Sequence, residues 1–144
     1  MTTVADVLEG KQSGVWSTTP DTSVFDALML MAEKNIGALP VTDTGQLVGI
    51  FSERDYARKI ILKGKTSKET TVREIMTAEV VSVRPGESID ACMALMTDRH
   101  FRHLPVVENN RIVGLISIGD VVKSVIEAQE ATINHLEGYI TGRR

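Results

Sequence analysis

The sequence contains very little cysteine: Cys92 is the only one among 144 residues. A lone cysteine cannot form an intramolecular disulfide, and we expect Cys92 on a buried helix face as a small core residue, neither ligand nor nucleophile. The N-terminus lacks the basic start and apolar stretch of a signal peptide, and no apolar run approaches the roughly 20 residues of a membrane span. These absences predict a cytoplasmic protein in a reducing environment, without membrane contact.

The chain also lacks an excess of positive charge and any familiar catalytic motif. Its formal net charge is −3, with lysine and arginine scattered along the sequence, so nucleic-acid binding is not expected. There is no Gly-x-Ser-x-Gly elbow and no P-loop lysine motif. His100 and His135 are expected at helix ends or surfaces, and no metal site is expected, because the histidines do not share a turn and there is no cysteine pair. We therefore expect a protein without catalysis and without a bound metal.

What the sequence does contain is an internal repeat. Sliding the chain by about 65 residues superposes the two halves without a gap between positions 15 and 56. The matched pairs include Pro40, Val48, Gly49, Ser52 and Asp55 with Pro105, Val113, Gly114, Ser117 and Asp120. Each half alone buries too little apolar surface to be stable, so we expect the two halves to pack on each other about a pseudo-twofold axis.

Hydrophobic periodicity predicts strand, helix, strand, strand and helix in each repeat, a mixed α/β (α+β) fold with helices covering one sheet face. The predicted elements of the first repeat are 15–18, a helix capped by Asp21 or Ser23, 36–41, 46–51 and 53–62. Those of the second are 80–83, 88–98, 103–107, 111–116 and a helix from Gly119. A leading helix through Leu8, a solvated linker 63–70 and a short helix 71–76 complete the chain. The predicted domains are 8–66 and 73–131, the second with a helix to about residue 140.

Each repeat places a Ser-x-x-Asp motif where its last strand enters a helix: Ser52-Glu53-Arg54-Asp55 and Ser117-Ile118-Gly119-Asp120. A serine at the N-cap and unpaired N–H groups of the first turn are suited to phosphate. An aspartate in that turn can accept hydrogen bonds from two ribose hydroxyls. The motif therefore favours a nucleotide. The alternative is a capping box, in which serine and aspartate only stabilise the helix end.

These motifs resemble a tandem pair of CBS domains, the module named after cystathionine beta-synthase. The resemblance lies in Ala38-Leu39-Pro40-Val41 with 47–55 and in 103–107 with 112–120, and it covers about residues 8 to 130. The stretch SERDYARK at 52–59 is similar to stand-alone two-CBS proteins of bacteria and plant organelles. The resemblance implies a cleft that binds AMP, ADP, ATP, NAD or S-adenosylmethionine, and a dimer shaped as a flat disc.

The resemblance also implies roles for individual residues. Asp55 and Asp120 would bind the ribose hydroxyls, and Ser52 and Ser117 the ribose or phosphate. The starts of the middle strands would line the adenine and phosphate pockets, with help from the segments before each repeat's first strand. These strand-start residues are Ile36, Gly37 and Ala38 in the first repeat and Phe101, Arg102 and His103 in the second.

The two predicted sites differ in their cations. The first has Arg54 and Arg58 one helical turn apart, whereas the second has Ile118 and Gly119 at its centre and Arg102 beside His103. Arg102 is the phosphate ligand we favour, because guanidinium groups offer several fixed donors. The alternatives are that Arg54 and Arg58 are solvated or pair with Glu53 or Asp55, and that His103 is structural.

The helical pattern continues past the second repeat to about Tyr139. Val122, Ile126, Ile133, Leu136 and Ile140 recur at spacings of 3 and 4 around the polar Gln129. We expect this helix to pack on its counterpart, or on the partner's N-terminal helix, in a homodimer; the alternative is that it folds back on its own chain. Gly142 and the two terminal arginines are expected to fray.

Taken together, these features predict an adenine-nucleotide sensor that is not an enzyme. AMP is the ligand we favour, with NAD or ATP as alternatives, and a regulated partner protein of unknown identity would read the change. The competing hypothesis is a structural or protein-interaction module whose ligand cleft is degenerate.

Overall fold

The computed structural model describes residues 2–11 and 15–140, with the backbone alone for residues 139 and 140. The expected fraying of Gly142 and the last arginines lies outside these residues. The helices are α1 (Val4–Gly10), α2 (Val24–Lys34), α3 (Glu53–Tyr56), α4 (Val72–Ile75), α5 (Ile89–Arg99) and α6 (Ile118–Ile140). The strands are β1 (Ala38–Asp43), β2 (Gln46–Ser52), β3 (His103–Glu108) and β4 (Arg111–Ser117). The predicted mixed fold with a long C-terminal helix is confirmed.

The two repeats begin and end their first long helix in the same way. Ser23 Oγ accepts a hydrogen bond from the Asp26 N–H, and Ser88 Oγ accepts one from the Ala91 N–H, each at 3.1 Å. These bonds satisfy a donor that has no partner within the helix. His100 is the left-handed residue that ends α5, with φ of 59°, so its predicted place at a helix end is confirmed.

Each pair of strands forms an antiparallel hairpin closed by a tight turn. Thr44 and Gly45 have φ of 50° and 84°, and Asn109 and Asn110 have φ of 53° and 63°. Two consecutive positive φ angles give the turn whose twist matches that of paired strands. In the first hairpin Ala38 lies opposite Ser52. The hairpin thus places the start of β1 beside the Ser-x-x-Asp motif that follows β2.

The predicted first strand of each repeat is wrong, because each is reduced to a single bridge residue. Thr18 alone pairs with β1: its N–H donates to the Pro40 carbonyl at 3.0 Å, and its carbonyl accepts from the Thr42 N–H at 2.9 Å. Only Val83 takes this state in 80–83. The Val15 side chain is 49% exposed, so no buried face supports a longer strand in the first repeat.

Three predicted boundaries also differ from the structure. The helix 53–62 is α-helical only in α3 and then widens into a π-helix over Ala57–Ile61. Ile60, within this π-helix, is buried in the core, whereas Leu62, which follows it, is 78% exposed. β1 begins at Ala38, because the Ile36 N–H still donates to the Met31 carbonyl at the end of α2. The leading helix continues two residues past Leu8, to Gly10.

The segment 63–70 is more than the solvated linker that its composition predicts. The Thr70 and Ser67 carbonyls accept hydrogen bonds from the Val24 and Phe25 N–H groups at 2.8 and 3.0 Å, and Thr70 is 5% exposed. The first N–H groups of a helix have no acceptor within it, so a neighbouring carbonyl must supply one. This segment therefore completes the N-terminal cap of α2.

The chain divides into two compact units that do not follow the order of the sequence. The first unit contains α1, Val83–Leu104 and the chain from Ile116 onward. The second contains the segment between α1 and Val83, together with Pro105–Leu115. The core of the second unit consists of Val24, Ala27, Met31, Leu39, Val41, Phe51, Ile60, Val72 and Ile75. The buried residues of the first unit include Val4, Val83, Ile89, Cys92, Met96, Leu104, Ile116 and Val121. The prediction that Cys92 is a core residue is confirmed, and burial raises the pKa of its thiol.

Candidate functional site

The first Ser-x-x-Asp motif forms a reciprocal cap at the start of α3. The Ser52 N–H and hydroxyl both donate to Asp55 Oδ2 at 3.0 Å, and the Asp55 N–H donates to Ser52 Oγ at 3.2 Å. This is a capping box, so that alternative is correct as a description of the local structure. It also fixes the aspartate side chain in one position, which a ligand contact requires.

Asp55 has two further partners through its other oxygen, Oδ1. Thr77 Oγ1 donates to it at 3.4 Å, and Lys59 Nζ lies 3.2 Å away, one turn further along the same helical segment. Lys59 is itself held by the Ile75 carbonyl at 2.9 Å. The Asp55 side chain is only 12% exposed. Both oxygens of the first aspartate are therefore already hydrogen bonded or ion paired.

The second motif repeats the cap but differs in its other contacts. The Ser117 N–H donates to Asp120 Oδ2 at 2.8 Å, and the Asp120 N–H donates to Ser117 Oγ at 3.1 Å. The same Oδ2 accepts a hydrogen bond from Lys11 Nζ at 2.8 Å. In the part of the chain that the structure describes, no hydrogen bond reaches Asp120 Oδ1. The second aspartate therefore keeps one oxygen available to a ligand.

The charges around the second motif are unequal in sign. Burial alone would raise the pKa of Asp120, but hydrogen bonds from Lys11 and Ser117 outweigh it and lower the pKa below its ordinary value. Burial also lowers the pKa of His103, and the positive charges of Lys11 and Arg102 lower it further, against the opposite effect of Asp120. His103 is accordingly neutral at pH 7. Two cations, Lys11 and Arg102, and the Asp120 carboxylate therefore act on this imidazole.

The predicted strand-start residues do lie beside the predicted helix starts. The Glu53 N–H donates to the Gly37 carbonyl at 3.1 Å, and the Ile118 N–H donates to the Arg102 carbonyl at 2.8 Å. This arrangement corrects the expectation that the N–H groups of the first turn are free for a phosphate. Two of the first three in each helix are already used, one by the strand and one by the serine.

The predicted cations are placed differently from one another. Arg54, Arg58 and Arg102 are exposed, and none forms a side-chain ion pair with another described residue. The alternative in which Arg54 or Arg58 pairs with Asp55 is wrong, because Asp55 pairs with Lys59. His103 is half-buried.

Three residues of the two sites were missed by sequence reasoning. The i, i+4 spacing of Asp55 and Lys59 was a readable signal. For Lys11 and Thr77 the only signal was their position. Each lies in a segment before a repeat's first strand, and the family resemblance implies that these segments help to line the pockets. Their contacts are crossed: Lys11 precedes the first repeat and binds Asp120 of the second, whereas Thr77 precedes the second and binds Asp55 of the first.

A cavity of about 410 Å³ lies between α1 and α6, beside Asp120. Its wall includes Thr2, Asp6, Lys11, Asp120, Lys123 and Glu127. A volume of this size is in the range of small-molecule sites. Among residues 2–11 and 15–140 there is no group of three histidine, cysteine or acidic side chains that could hold a metal ion, and no helix is long and apolar enough to span a membrane.

Comparison with known proteins identifies the family. The sequence pattern of the CBS domain matches residues 3–62 and 72–127. The chain is 42% identical over 151 aligned positions to the CBS domain-containing protein CBSX3, mitochondrial, of Arabidopsis thaliana, covering 98% of this chain and 73% of that protein. A CBS-domain protein from Burkholderia ambifaria superposes with a TM-score of 0.84 at 53% identity, covering 89% of this chain and 96% of that one.

Two further solved structures contain ligands. The CBS domain pair of protein MJ0100, in complex with 5-methylthioadenosine and S-adenosyl-L-methionine, has a TM-score of 0.79 at 27% identity and covers 89% of this chain and 98% of that one. CBSX2 in complex with AMP has a TM-score of 0.71 at 28% identity and covers 90% and 99%. The two repeats, their hairpins and the aspartates of their helix caps thus lead to one assignment: this chain belongs to the CBS domain family, as a tandem pair.

Proposed function

We propose that this protein is a regulatory module that binds an adenine nucleotide and has no catalytic activity of its own. The observation that carries the proposal is the paired geometry of Asp55 and Asp120. Each is held rigidly by a reciprocal serine cap at the start of a helix and lies next to the start of a middle strand. A fixed carboxylate in that position suits the two neighbouring hydroxyls of a ribose.

AMP is the ligand we favour, with NAD and ATP as alternatives. Support comes from the relatives, since CBSX2 was solved with AMP and the MJ0100 pair with two adenosine-containing sulfur compounds. These ligands share an adenosine, and they differ in what is attached to its 5′ carbon. The positive charges of Lys11 and Arg102 near His103 favour an attached phosphate.

The proposed contacts follow the two motifs. Asp55 and Asp120 bind ribose, and Ser52 and Ser117 support them or bind ribose and phosphate. Arg54 serves the first site, and Arg102 with His103 serves the second. The remaining wall residues are Ile36, Gly37 and Ala38 in the first site and Ile118 and Gly119 in the second. The proposed domains are 8–66 and 73–131.

A homodimer formed through α6 is part of this proposal. Every residue from 126 to 137 is exposed, and Ile126, Ile133 and Leu136 are 48%, 53% and 53% exposed. With Gln129 they occupy positions at spacings of 3, 4 and 3, which is the seam of a two-stranded coiled coil. The occupant that fits this seam is a second copy of α6. Sedimentation should show that Ile133→Asp with Leu136→Asp gives a monomer, whereas Ala131→Asp, on another face, leaves the dimer intact.

Binding would regulate a partner protein by shifting the arrangement of the pair or of the dimer. The size of such a signal cannot exceed the ligand's preference between the two arrangements. We propose the cytoplasm as the compartment, although the relative CBSX3 is named as mitochondrial. The second candidate function is a protein-interaction module, favoured by the fact that both oxygens of Asp55 already have partners.

Thermal unfolding with AMP, ADP, ATP, NAD, S-adenosylmethionine and GTP tests the proposal. A ligand at a hundred times its dissociation constant adds about 2.7 kcal/mol per site to the free energy of unfolding, a rise of several degrees in Tm. The rise should occur with adenine compounds and be lost in the double variant Asp55→Asn, Asp120→Asn. Asp90→Asn, an exposed acid at the start of α5, is the matched control. No rise with any compound at millimolar concentration would leave the interaction module as the function.

A further inference from the structure

The salt bridge between Lys11 and Asp120 joins two parts of the chain that are 109 residues apart. Its atoms are 2.8 Å apart, and the two side chains are 29% and 21% exposed. The corresponding pair in the first site is local, because Lys59 lies four residues after Asp55. A ligand that displaces Lys59 changes contacts within its own helical segment and with the Ile75 carbonyl of α4. A ligand that displaces Lys11 changes a contact between α1 and α6.

A ribose bound to Asp120 must compete with Lys11. Oδ2 already accepts hydrogen bonds from the Ser117 N–H and from Lys11, whereas Oδ1 accepts none from the described residues. One of the two ribose hydroxyls can donate to Oδ1 at once. In a bidentate contact each hydroxyl donates to its own oxygen, and the second goes to Oδ2, where both acceptor sites are filled. Bidentate ribose binding at Asp120 therefore displaces Lys11.

Displacement leaves the Lys11 ammonium without its carboxylate in a position that is mostly shielded from water. The other acids in the cavity wall are already engaged: Asp6 binds the Thr3 N–H and hydroxyl, and Glu127 pairs with Lys123. Because the ribose hydroxyls are uncharged, they do not replace the lost negative charge. A phosphate on the same ligand does replace it, through a charge-assisted hydrogen bond.

We propose that Lys11 holds Asp120 while the second site is empty and moves to the phosphate when a nucleotide binds, so that Lys11 selects nucleotides over nucleosides. This inference rests on the proposed function and adds the residue that sets its ligand class. The probe pair is AMP and adenosine, which differ only in the 5′-phosphate.

The same step explains how binding reaches α1. The N-terminal end of α1 is anchored by backbone hydrogen bonds, from the Val4 N–H to the Glu87 carbonyl and from the Ala5 N–H to the Pro85 carbonyl, both at 2.8 Å. The contact of its C-terminal end with α6 includes the Lys11 salt bridge. Nucleotide binding at Asp120 therefore alters one end of α1 while the other end stays anchored.

Calorimetric titration of the full chain tests the inference, with Asp55→Asn in every variant to silence the first site. Lys11→Met should weaken AMP binding about tenfold or more, the loss expected for one charge-assisted hydrogen bond. Adenosine binding should be unchanged or stronger, because its competitor is gone. Lys63→Met removes an exposed lysine that is not in the cavity wall, and it should change the affinity for neither ligand. Lys11→Gln should behave as Lys11→Met does.

Several results would overturn this role of Lys11. Equal weakening of AMP and adenosine would make Lys11 a merely structural residue, and an equal effect of Lys63→Met would reduce its role to general charge. If the parent with Asp55→Asn binds AMP and adenosine equally well, the selection by Lys11 fails while the proposed function stands. If it binds neither, and the protein without that substitution also binds neither, both fail.

Discussion

The two Ser-x-x-Asp sites have the same backbone arrangement, but the lysine that pairs with the aspartate comes from a different part of the chain in each. Asp55 uses Lys59 from its own helical segment and Thr77 from the segment after α4, so both of its oxygens are occupied. Asp120 uses Lys11 from the end of α1 and keeps Oδ1 open. Identical motifs can thus form sites of unequal availability, because the residues that complete them come from outside the repeated pattern.

The largest effect should come from removing each aspartate and comparing the losses. Asp55→Ala removes the acceptor of the Ser52 N–H and of the Thr77 hydroxyl and breaks the ion pair with Lys59. We expect it to lower the free energy of unfolding by about 3 kcal/mol. Asp120→Ala removes the acceptor of only the Ser117 N–H and Lys11, and we expect it to lower the free energy of unfolding by about 2 kcal/mol. Urea denaturation without ligand measures both. An equal or larger loss for Asp120→Ala would contradict the view that the first site is the more tightly held.

A second prediction concerns Gly49, which lies where β2 approaches the segment that carries Thr77. A Cβ on Gly49 would meet Met76 Sδ at 2.6 Å and the Thr77 carbonyl at 3.1 Å. We expect Gly49→Ala to lower the free energy of unfolding by about 1 to 3 kcal/mol, as overpacking does, and to weaken ligand binding at the first site more than at the second. Denaturation and calorimetry would measure these effects.

The matched control for Gly49 is Gly86, where an added Cβ has no neighbour within 4 Å. Gly86→Ala should be neutral or stabilise by about 0.4 to 1 kcal/mol, since it restricts only the unfolded chain. Similar losses for the two substitutions would show that the approach of Met76 to β2 is not what requires glycine at position 49.

The smallest effect should be a pH dependence confined to the second site, which has His103 where the first has Ala38. Burial lowers the pKa of His103, so near pH 6.5 and below the unfolded chain binds a proton that the folded chain does not. The free energy of unfolding should therefore fall as the pH drops from 7 through 6.5. His103→Gln should flatten this decline, and His135→Gln, exposed on α6, should not. An unchanged slope in His103→Gln would contradict the assignment.

Much of the local structure could be read from the sequence, because it depends on neighbours along the chain. Ser23 and Ser88 were predictable as helix caps, because each hydroxyl oxygen accepts a hydrogen bond from the N–H group three residues later in the chain. The turns after Asp43 and Glu108 were predictable from Gly45, Asn109 and Asn110, which tolerate positive φ, although Thr44 does not favour it. The first strands failed, because a strand exists only through a partner and its pattern does not reveal how much pairing the partner offers.

The sequence by itself determined that there are two copies of one unit, that each has a Ser-x-x-Asp motif where its last strand enters a helix, and that a long amphipathic helix follows. These features repeat at a spacing of about 65 residues and rest on local hydrogen bonds and hydrophobic periodicity. Only the tertiary structure decided which lysine reaches which aspartate. Lys11 and Asp120 are 109 residues apart, and no local propensity encodes a contact that arises only when distant segments are folded against each other.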